Sequence, residues 1–146
     1  MIRCEIGLDV ARPGAEVFAF VDDVAKAPLW LSRCARLEQS SPLPKQVGST
    51  LRYTYREGAG SGGMDGAVTE YQPGRRLVMR FTDKMFDVEV GFDFAPAGAG
   101  TRIEHAVTIT PKPLMARLMA PLIRGATQKQ IAQDSARLKR LLESTG

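Results

Sequence analysis

The fold of this chain is decided by two adjoining stretches, Thr101-Arg-Ile-Glu-His-Ala-Val-Thr-Ile-Thr110 and Leu114-Met-Ala-Arg-Leu-Met-Ala-Pro-Leu-Ile123. In the first, apolar residues and one histidine occupy every second position, which predicts a strand with one buried face. In the second, leucines recur at every fourth residue, which predicts a helix that we extend over residues 114–143. Pro121 and Gly125 are expected to kink or divide the first part of this helix.

Six further stretches upstream have the alternation or composition of strands. They are residues 2–10, 35–39, 49–56, 64–71, 76–82 and 85–94. Between the first and second strand, apolar residues at helical spacing, broken near Asp22 and Pro28, predict two short helices. We therefore expect one α+β domain over residues 1–146, with a seven-stranded antiparallel sheet and a long C-terminal helix.

Composition is that of an ordinary globular protein, with 44% hydrophobic and 25% charged residues among 146. No apolar run reaches the roughly 20 residues that span a bilayer, and the start has no signal-peptide layout, so we expect a cytoplasmic protein. The net charge is +4, and the basic excess lies in residues 112–146, with seven Lys or Arg against two acidic residues. Because no basic groove with interleaved aromatic residues accompanies it, we expect no nucleic-acid partner.

Metal, disulfide and nucleotide sites are not expected. Cys4 and Cys34 are the only cysteines and His105 the only histidine, too few for a zinc site or a disulfide framework. The segment Gly58-Ala-Gly-Ser-Gly-Gly63 matches a dinucleotide-binding pattern, but a strand rather than a helix is predicted to follow it. We interpret it as a hairpin tip able to act as a lid, and we expect no cofactor.

The predicted sheet has one apolar and one polar face, and a single helix must cover the apolar one. Seven strands are much wider than a helix of about 10 Å diameter, so the sheet must curl around it. A curled sheet rarely closes tightly along its whole length, which predicts an internal pocket. Its expected lining combines aromatic and apolar side chains with one histidine: Trp30, Tyr53, Tyr55, Met79, Phe81, Phe86, Phe92, His105, Met119 and Ile123.

Four segments in this order resemble a known family over nearly the whole chain. They are Ala11-Arg-Pro-Gly-Ala-Glu-Val-Phe-Ala-Phe-Val-Asp-Asp23, Pro28-Leu-Trp-Leu31, Gly66-Ala-Val-Thr-Glu-Tyr-Gln-Pro-Gly-Arg-Arg-Leu77 and Gly98-Ala-Gly-Thr-Arg-Ile-Glu104. They are similar to the START-like SRPBCC superfamily, and within it to the polyketide cyclase/dehydrase and lipid-transport group. The resemblance implies a helix-grip fold with an internal hydrophobic cavity. It does not imply one activity, because such proteins include aromatase/cyclases, lipid and quinone carriers, hormone receptors and chaperone activators.

Several residues have both a functional and a structural interpretation. His105 is either a general base for cyclisation or dehydration, or a hydrogen-bonded core histidine. Glu70 faces inward if Val68 does, and would then be a second candidate acid or base, although Tyr71 competes for that face. The Tyr53 and Tyr55 hydroxyls either bind a ligand carbonyl or pack in the core, and Trp30 either covers a ligand or packs.

Three hypotheses for function remain open. The first is the binding of a small hydrophobic or polycyclic molecule by a monomer or homodimer. The second is a polyketide cyclase or dehydratase that uses His105 or Glu70 for proton transfer. The third is a quinone or lipid carrier that docks on membranes through its basic C-terminal helix.

Overall fold

The structure is a computed structural model that describes residues 1–57 and 60–144, and only the backbone of residues 57, 60 and 61. Gly58 and Ala59, at the centre of the expected lid, lie outside the described residues. The described residues form seven strands: β1 (Ile2–Val10), β2 (Cys34–Gln39), β3 (Thr50–Glu57), β4 (Gly60–Gln72), β5 (Arg76–Thr82), β6 (Phe86–Ala97) and β7 (Gly100–Pro111). The same part of the chain forms four α-helices: α1 (Gly14–Asp22), α2 (Ala27–Trp30), α3 (Leu114–Leu118) and α4 (Ala120–Glu143).

The strands form one antiparallel sheet in the order β1-β7-β6-β5-β4-β3-β2. Strands β2 to β7 are a meander, and β1 pairs with β7 at the far edge. The predicted seven-stranded sheet, C-terminal helix and short helices after β1 are confirmed. Asp23 separates two of these helical segments, because its carboxylate accepts the Ala25 N–H and caps a 3-10 turn over Val24–Lys26.

The core lies between the concave face of the sheet and the C-terminal two-thirds of α4. Inward residues of the central strands are buried, among them Leu77, Phe92 and Ile103. Helix α4 contributes Ile131, Leu138 and Leu142, while α1 adds Phe18, whose ring meets Phe94 edge-on at 5.2 Å. No helix among the described residues is long and apolar enough to cross a membrane.

Of the two alternatives for β4, the structure has Tyr71 inward and Glu70 outward although Val68 is buried, and a β-bulge is the reason. Val68 pairs with Met79 and Glu70 with Val78, so Thr69 is an extra residue between two consecutive pairs. This extra residue inverts the alternation, which turns Tyr71 inward and Glu70 outward. The Glu70 carboxylate forms an ion pair with Arg76 on the outer face, at 3.0 Å, and Arg76 also binds Asp93.

The single long helix predicted from the sequence is divided, near the expected place. Helix α3 ends at Leu118 and α4 begins at Ala120, with Met119 between them. The leucines and methionines of this region do not cover the sheet as expected. Leu114, Met115, Leu118, Met119 and Leu122 are all exposed.

Candidate functional site: an internal cavity

A cavity of about 470 Å³ lies between the concave face of the sheet and α4. Nine of the ten residues expected to line it are in its wall: Trp30, Tyr53, Tyr55, Met79, Phe81, Phe86, Phe92, His105 and Ile123. Met119 is not, because it stands at the exposed junction of α3 and α4. The volume is within the range of about 300–1,000 Å³ that is usual for small-molecule sites.

The wall of the cavity contains a cluster of three packed rings. The His105 imidazole lies parallel to the Phe92 ring, with centroids 4.3 Å apart, because the two residues are direct partners on β7 and β6. Trp30, at the end of α2, meets both rings edge-on, at 5.9 Å from Phe92 and 6.4 Å from His105. These contacts give the cavity a rigid aromatic surface of the kind that binds flat apolar molecules.

His105 is held as a neutral imidazole. Its Nδ1 lies 3.1 Å from the Gly91 carbonyl oxygen, and because a carbonyl only accepts, Nδ1 carries the proton. Burial lowers the pKa of His105 to about 4, although the bond to Gly91 opposes this shift. Nε2 is therefore a bare acceptor on a ring that lines the cavity. No carboxylate among the described residues orients the ring, so the geometry suits a hydrogen-bond acceptor better than a general base near neutral pH.

The indole N–H of Trp30 is a buried donor without a hydrogen-bond partner among the described residues. Buried polar groups in native proteins nearly always have a partner, so an unsatisfied one calls for an explanation. Trp30 lines the cavity, and a bound acceptor atom is one such explanation.

Two tyrosines of β3 form a second part of the wall. The Tyr53 and Tyr55 rings stack with centroids 6.0 Å apart, and Tyr53 also packs on Phe81. Burial raises the pKa of the Tyr53 hydroxyl well above its usual value, so this group remains a neutral donor at all ordinary pH. Burial likewise raises the pKa of the neighbouring Cys34 to about 11, which leaves its thiol protonated and unreactive.

Helix α4 brings to the site a buried carboxylate that was not predicted from the sequence, that of Asp134. This residue is only 2% exposed, it lines the cavity, and its Oδ1 accepts the Ser32 N–H at 3.2 Å. Burial raises the pKa of the Asp134 carboxyl, against the opposing effect of hydrogen bonds from Ser32. A signal was present in the sequence, because Asp134 falls between Ile131 and Leu138 at helical spacing, on the apolar face of α4.

The cavity opens between the β5–β6 turn and the first turns of α4. Met85 in that turn lines the cavity yet is 47% exposed, and Ala126 of α4 is likewise both lining and exposed. The turn is held by the Asp83 carboxylate, which accepts the N–H groups of Met85 and Phe86 at 2.8 Å each. These residues form the mouth of the cavity.

A second, smaller depression of about 230 Å³ lies on the outer face of the sheet. Its rim mixes basic and acidic side chains, such as Arg3 beside Glu5 and Arg76 beside Asp93, which form ion pairs with one another. Because most of its charged side chains are paired with one another, this depression offers little recognition chemistry of its own.

A sheet that grips a C-terminal helix around a cavity defines the helix-grip, START-like class of proteins. Residues 1–143 match the family model described as polyketide cyclase / dehydrase and lipid transport, and the chain belongs to that family. No match was found among curated proteins.

Solved structures with the same fold have low sequence identity to this chain. A START superfamily protein from Mycobacterium smegmatis is 15% identical with a TM-score of 0.82, and each chain is covered to 99%. A Thermus thermophilus protein is 17% identical with a TM-score of 0.80, again with 99% of both chains covered. The di-domain ARO/CYC protein StfQ of the steffimycin biosynthetic pathway is 17% identical with a TM-score of 0.77, and the match covers 98% of this chain and 49% of StfQ. The TM-scores establish a shared fold, and at identities this low the similarity shows the fold alone.

Proposed function

We propose that this protein binds a small hydrophobic or polycyclic organic molecule in the cavity between the sheet and α4. The observation that carries the proposal is the cavity itself: about 470 Å³ of space with a mainly aromatic and aliphatic wall. Apolar burial supplies the affinity, because each fully buried side-chain-sized contact contributes about 1.5–3 kcal/mol before entropy costs.

Polar groups in the wall would orient the ligand. The Nε2 of His105 accepts a hydrogen bond, and the Tyr53 hydroxyl and the Trp30 N–H, which has no partner in the described part of the chain, donate one. Such a set matches a flat molecule that carries hydroxyl and carbonyl groups at its edges. This chemistry is shared by polyketide-like aromatic compounds and quinones, so it supports a ligand class rather than one compound.

The proposal is tested by measuring how tightly the protein binds a fluorescent polycyclic probe, 1-anilinonaphthalene-8-sulfonate. Fluorescence gives the affinity, and native mass spectrometry shows whether the probe is bound. Val90 lines the cavity, whereas Val47 is exposed in the loop before β3. We expect Val90→Phe to fill part of the cavity and weaken probe binding about tenfold or more, and Val47→Phe to leave it unchanged. Equal probe binding by the two variants, or no bound probe at all, would show that the cavity does not bind such ligands.

A cyclase or dehydratase activity is the second candidate, and the buried carboxyl of Asp134 favours it. A carboxyl with a raised pKa beside a cavity is suited to proton transfer, whereas Glu70 lies on the outer face and His105 is held neutral. If the chain converts linear poly-β-ketone substrates, we expect Asp134→Asn to reduce kcat by roughly 10²-fold or more. His105→Asn is expected to raise KM instead, and unchanged substrate with the wild type would exclude this activity for the substrates tested.

A further inference from the structure

Five large apolar side chains form a continuous exposed stripe on α3 and the first turn of α4. These side chains, which we call the α3 patch, are those of Leu114, Met115, Leu118, Met119 and Leu122, and they are between 48% and 72% exposed. Their spacing places them one above another on adjoining helical turns. Scattered exposed leucines are ordinary, but a contiguous stripe of leucine and methionine indicates a surface that something covers.

The charges on the segment that carries the α3 patch are of one sign. Residues 112–133 contain Lys112, Arg117, Arg124 and Lys129 and no acidic residue, and of these Lys112 forms an ion pair with Asp87 of β6 at 3.2 Å. Lys129 is exposed and lies seven residues after Leu122, on the same side of α4, and exposed Lys84 stands beside Met85 at the mouth of the cavity. An apolar stripe flanked by cations complements a bilayer with anionic headgroups, into which the apolar side chains insert.

The α3 patch is also continuous with the mouth of the cavity. The Lys112 N–H donates to the Met85 carbonyl, so the short segment that connects β7 to α3 lies beside the β5–β6 turn. Ile123, one residue after Leu122, lines the cavity. A surface seated on the α3 patch therefore adjoins the opening through which a cavity ligand enters and leaves.

We infer that the α3 patch docks the protein on anionic lipid bilayers, with the mouth of the cavity against the membrane. Membrane docking as such does not depend on what the cavity holds. The role of docking in ligand exchange does rest on the proposed function. An interface between protein surfaces is less favoured, because lysine is depleted from such interfaces and here cations border the apolar stripe.

The test is co-sedimentation of the full chain with vesicles of phosphatidylcholine alone and with vesicles of phosphatidylcholine and phosphatidylglycerol in equal parts. We expect binding to the anionic vesicles that falls with added salt, and little binding to the neutral ones. The double variant Leu118→Ser with Leu122→Ser is expected to bind the anionic vesicles at least about tenfold more weakly. Its control is Val47→Ser, another exposed apolar residue, in the loop before β3, and β3 is three strands away from β6 in the sheet. This variant is expected to bind as the wild type does.

Two variants that each remove one positive charge measure the electrostatic contribution to vesicle binding. Lys129→Gln is expected to weaken binding to anionic vesicles about fivefold, whereas Arg75→Gln, the same loss of charge on the β4–β5 turn, is expected to have little effect. Probe binding in the cavity, measured without vesicles, should be unchanged in the double variant Leu118→Ser with Leu122→Ser. The experiments can therefore contradict membrane docking without contradicting ligand binding, and the reverse.

Three results would overturn the inference. One is equal binding to neutral and anionic vesicles, and another is anionic binding that the double variant leaves intact. The third is a wild-type dimer that the double variant converts to monomer while neither binds vesicles. That result would assign the α3 patch to a second copy of the chain.

Discussion

At the scale of a residue, burial decides what His105 can do. Its imidazole is enclosed by Phe92 and Trp30 and donates from Nδ1 to the Gly91 carbonyl. Burial favours the neutral ring because the charged form would lose its hydration without gaining a carboxylate partner. The same burial that makes Nε2 a hydrogen-bond acceptor therefore weakens it as a base.

This environment has a consequence for stability in acid. The pKa of His105 is lowered from 6.5 to about 4 in the folded chain, so the unfolded chain binds more protons between these values. Stability is then lost as the pH falls from 6.5 to 4, by about 3 kcal/mol from this residue. We expect His105→Asn, whose amide can still donate to Gly91, to show a smaller loss over the same range.

The measurement is urea unfolding of both proteins at a series of pH values. Carboxylates that titrate in this range affect both proteins alike, so the difference between the two curves isolates His105. Parallel curves would mean that the histidine is not held neutral by burial.

At the scale of an element, one inserted residue decides which side chains of β4 face the core. The bulge at Thr69 turns Tyr71 inward, where it packs on Phe18 and its hydroxyl donates to the Asp22 carboxylate at 2.8 Å. Lys45 binds the same carboxylate, also at 2.8 Å, which ties the loop before β3 to the end of α1. If Thr69 were instead paired with a residue of β5, strict alternation from Val68 would turn the acidic side chain of Glu70 inward.

Deletion of Thr69 tests this account of β4. The deletion leaves Val68, Glu70 and Tyr71 opposite Met79, Val78 and Leu77 in strict alternation, with Glu70 still outward and Tyr71 still inward. We therefore expect the free energy of unfolding to fall by only about 1 kcal/mol, the cost of the lost Thr69 hydrogen bond to the Val78 carbonyl. The contrast is Tyr71→Ala, which removes the inward ring that packs on Phe18 and is expected to cost about 3 kcal/mol. A deletion as costly as Tyr71→Ala in urea unfolding would contradict the role given to the bulge.

At the scale of the whole molecule, α4 has two parts with different tasks. Its C-terminal part carries Leu138 and Leu142 into the core, and the part before it, from Ile123 to Asp134, closes the cavity from one side. Its first turns, with α3, leave their apolar residues in solvent beside the mouth. The sheet therefore grips only part of the helix, and the free part supplies the proposed membrane surface.

Two leucines of α4 separate these tasks. Leu138 is 1% exposed and Leu122 is 68% exposed, although both lie in the same helix. We expect Leu138→Ala to lower the free energy of unfolding by about 2–5 kcal/mol, through lost burial and the cavity left behind. Leu122→Ala is expected to change it by less than about 0.5 kcal/mol, as is usual for surface positions. Urea unfolding followed by circular dichroism measures both, and comparable losses would mean that Leu122 packs in the core.

The amino-acid sequence by itself determined the strands, the order of the elements and the apolar face of the sheet. Alternation and helical spacing are local properties, so residues such as Tyr53, Phe92 and His105 could be assigned to the inner face from the pattern alone. The bulge in β4 has no such signature, which is why the pattern left open whether Glu70 or Tyr71 faces inward. The spacing of Asp134 from Ile131 and Leu138 indicated that it lies on the apolar face of α4. The sequence did not show that the Ser32 N–H would form a hydrogen bond with its carboxylate.

Only the tertiary structure decided that the interior has room for a ligand. The volume of the cavity is the difference between the space enclosed by a curved seven-stranded sheet and the side chains that fill it, and both depend on contacts between residues far apart in the chain. The same long-range packing left the α3 patch outside the core, although its apolar spacing in the sequence resembles that of a buried helix face. Local pattern determines which face of an element is apolar, and the way the sheet curls determines whether that face meets the core, a cavity or the solvent.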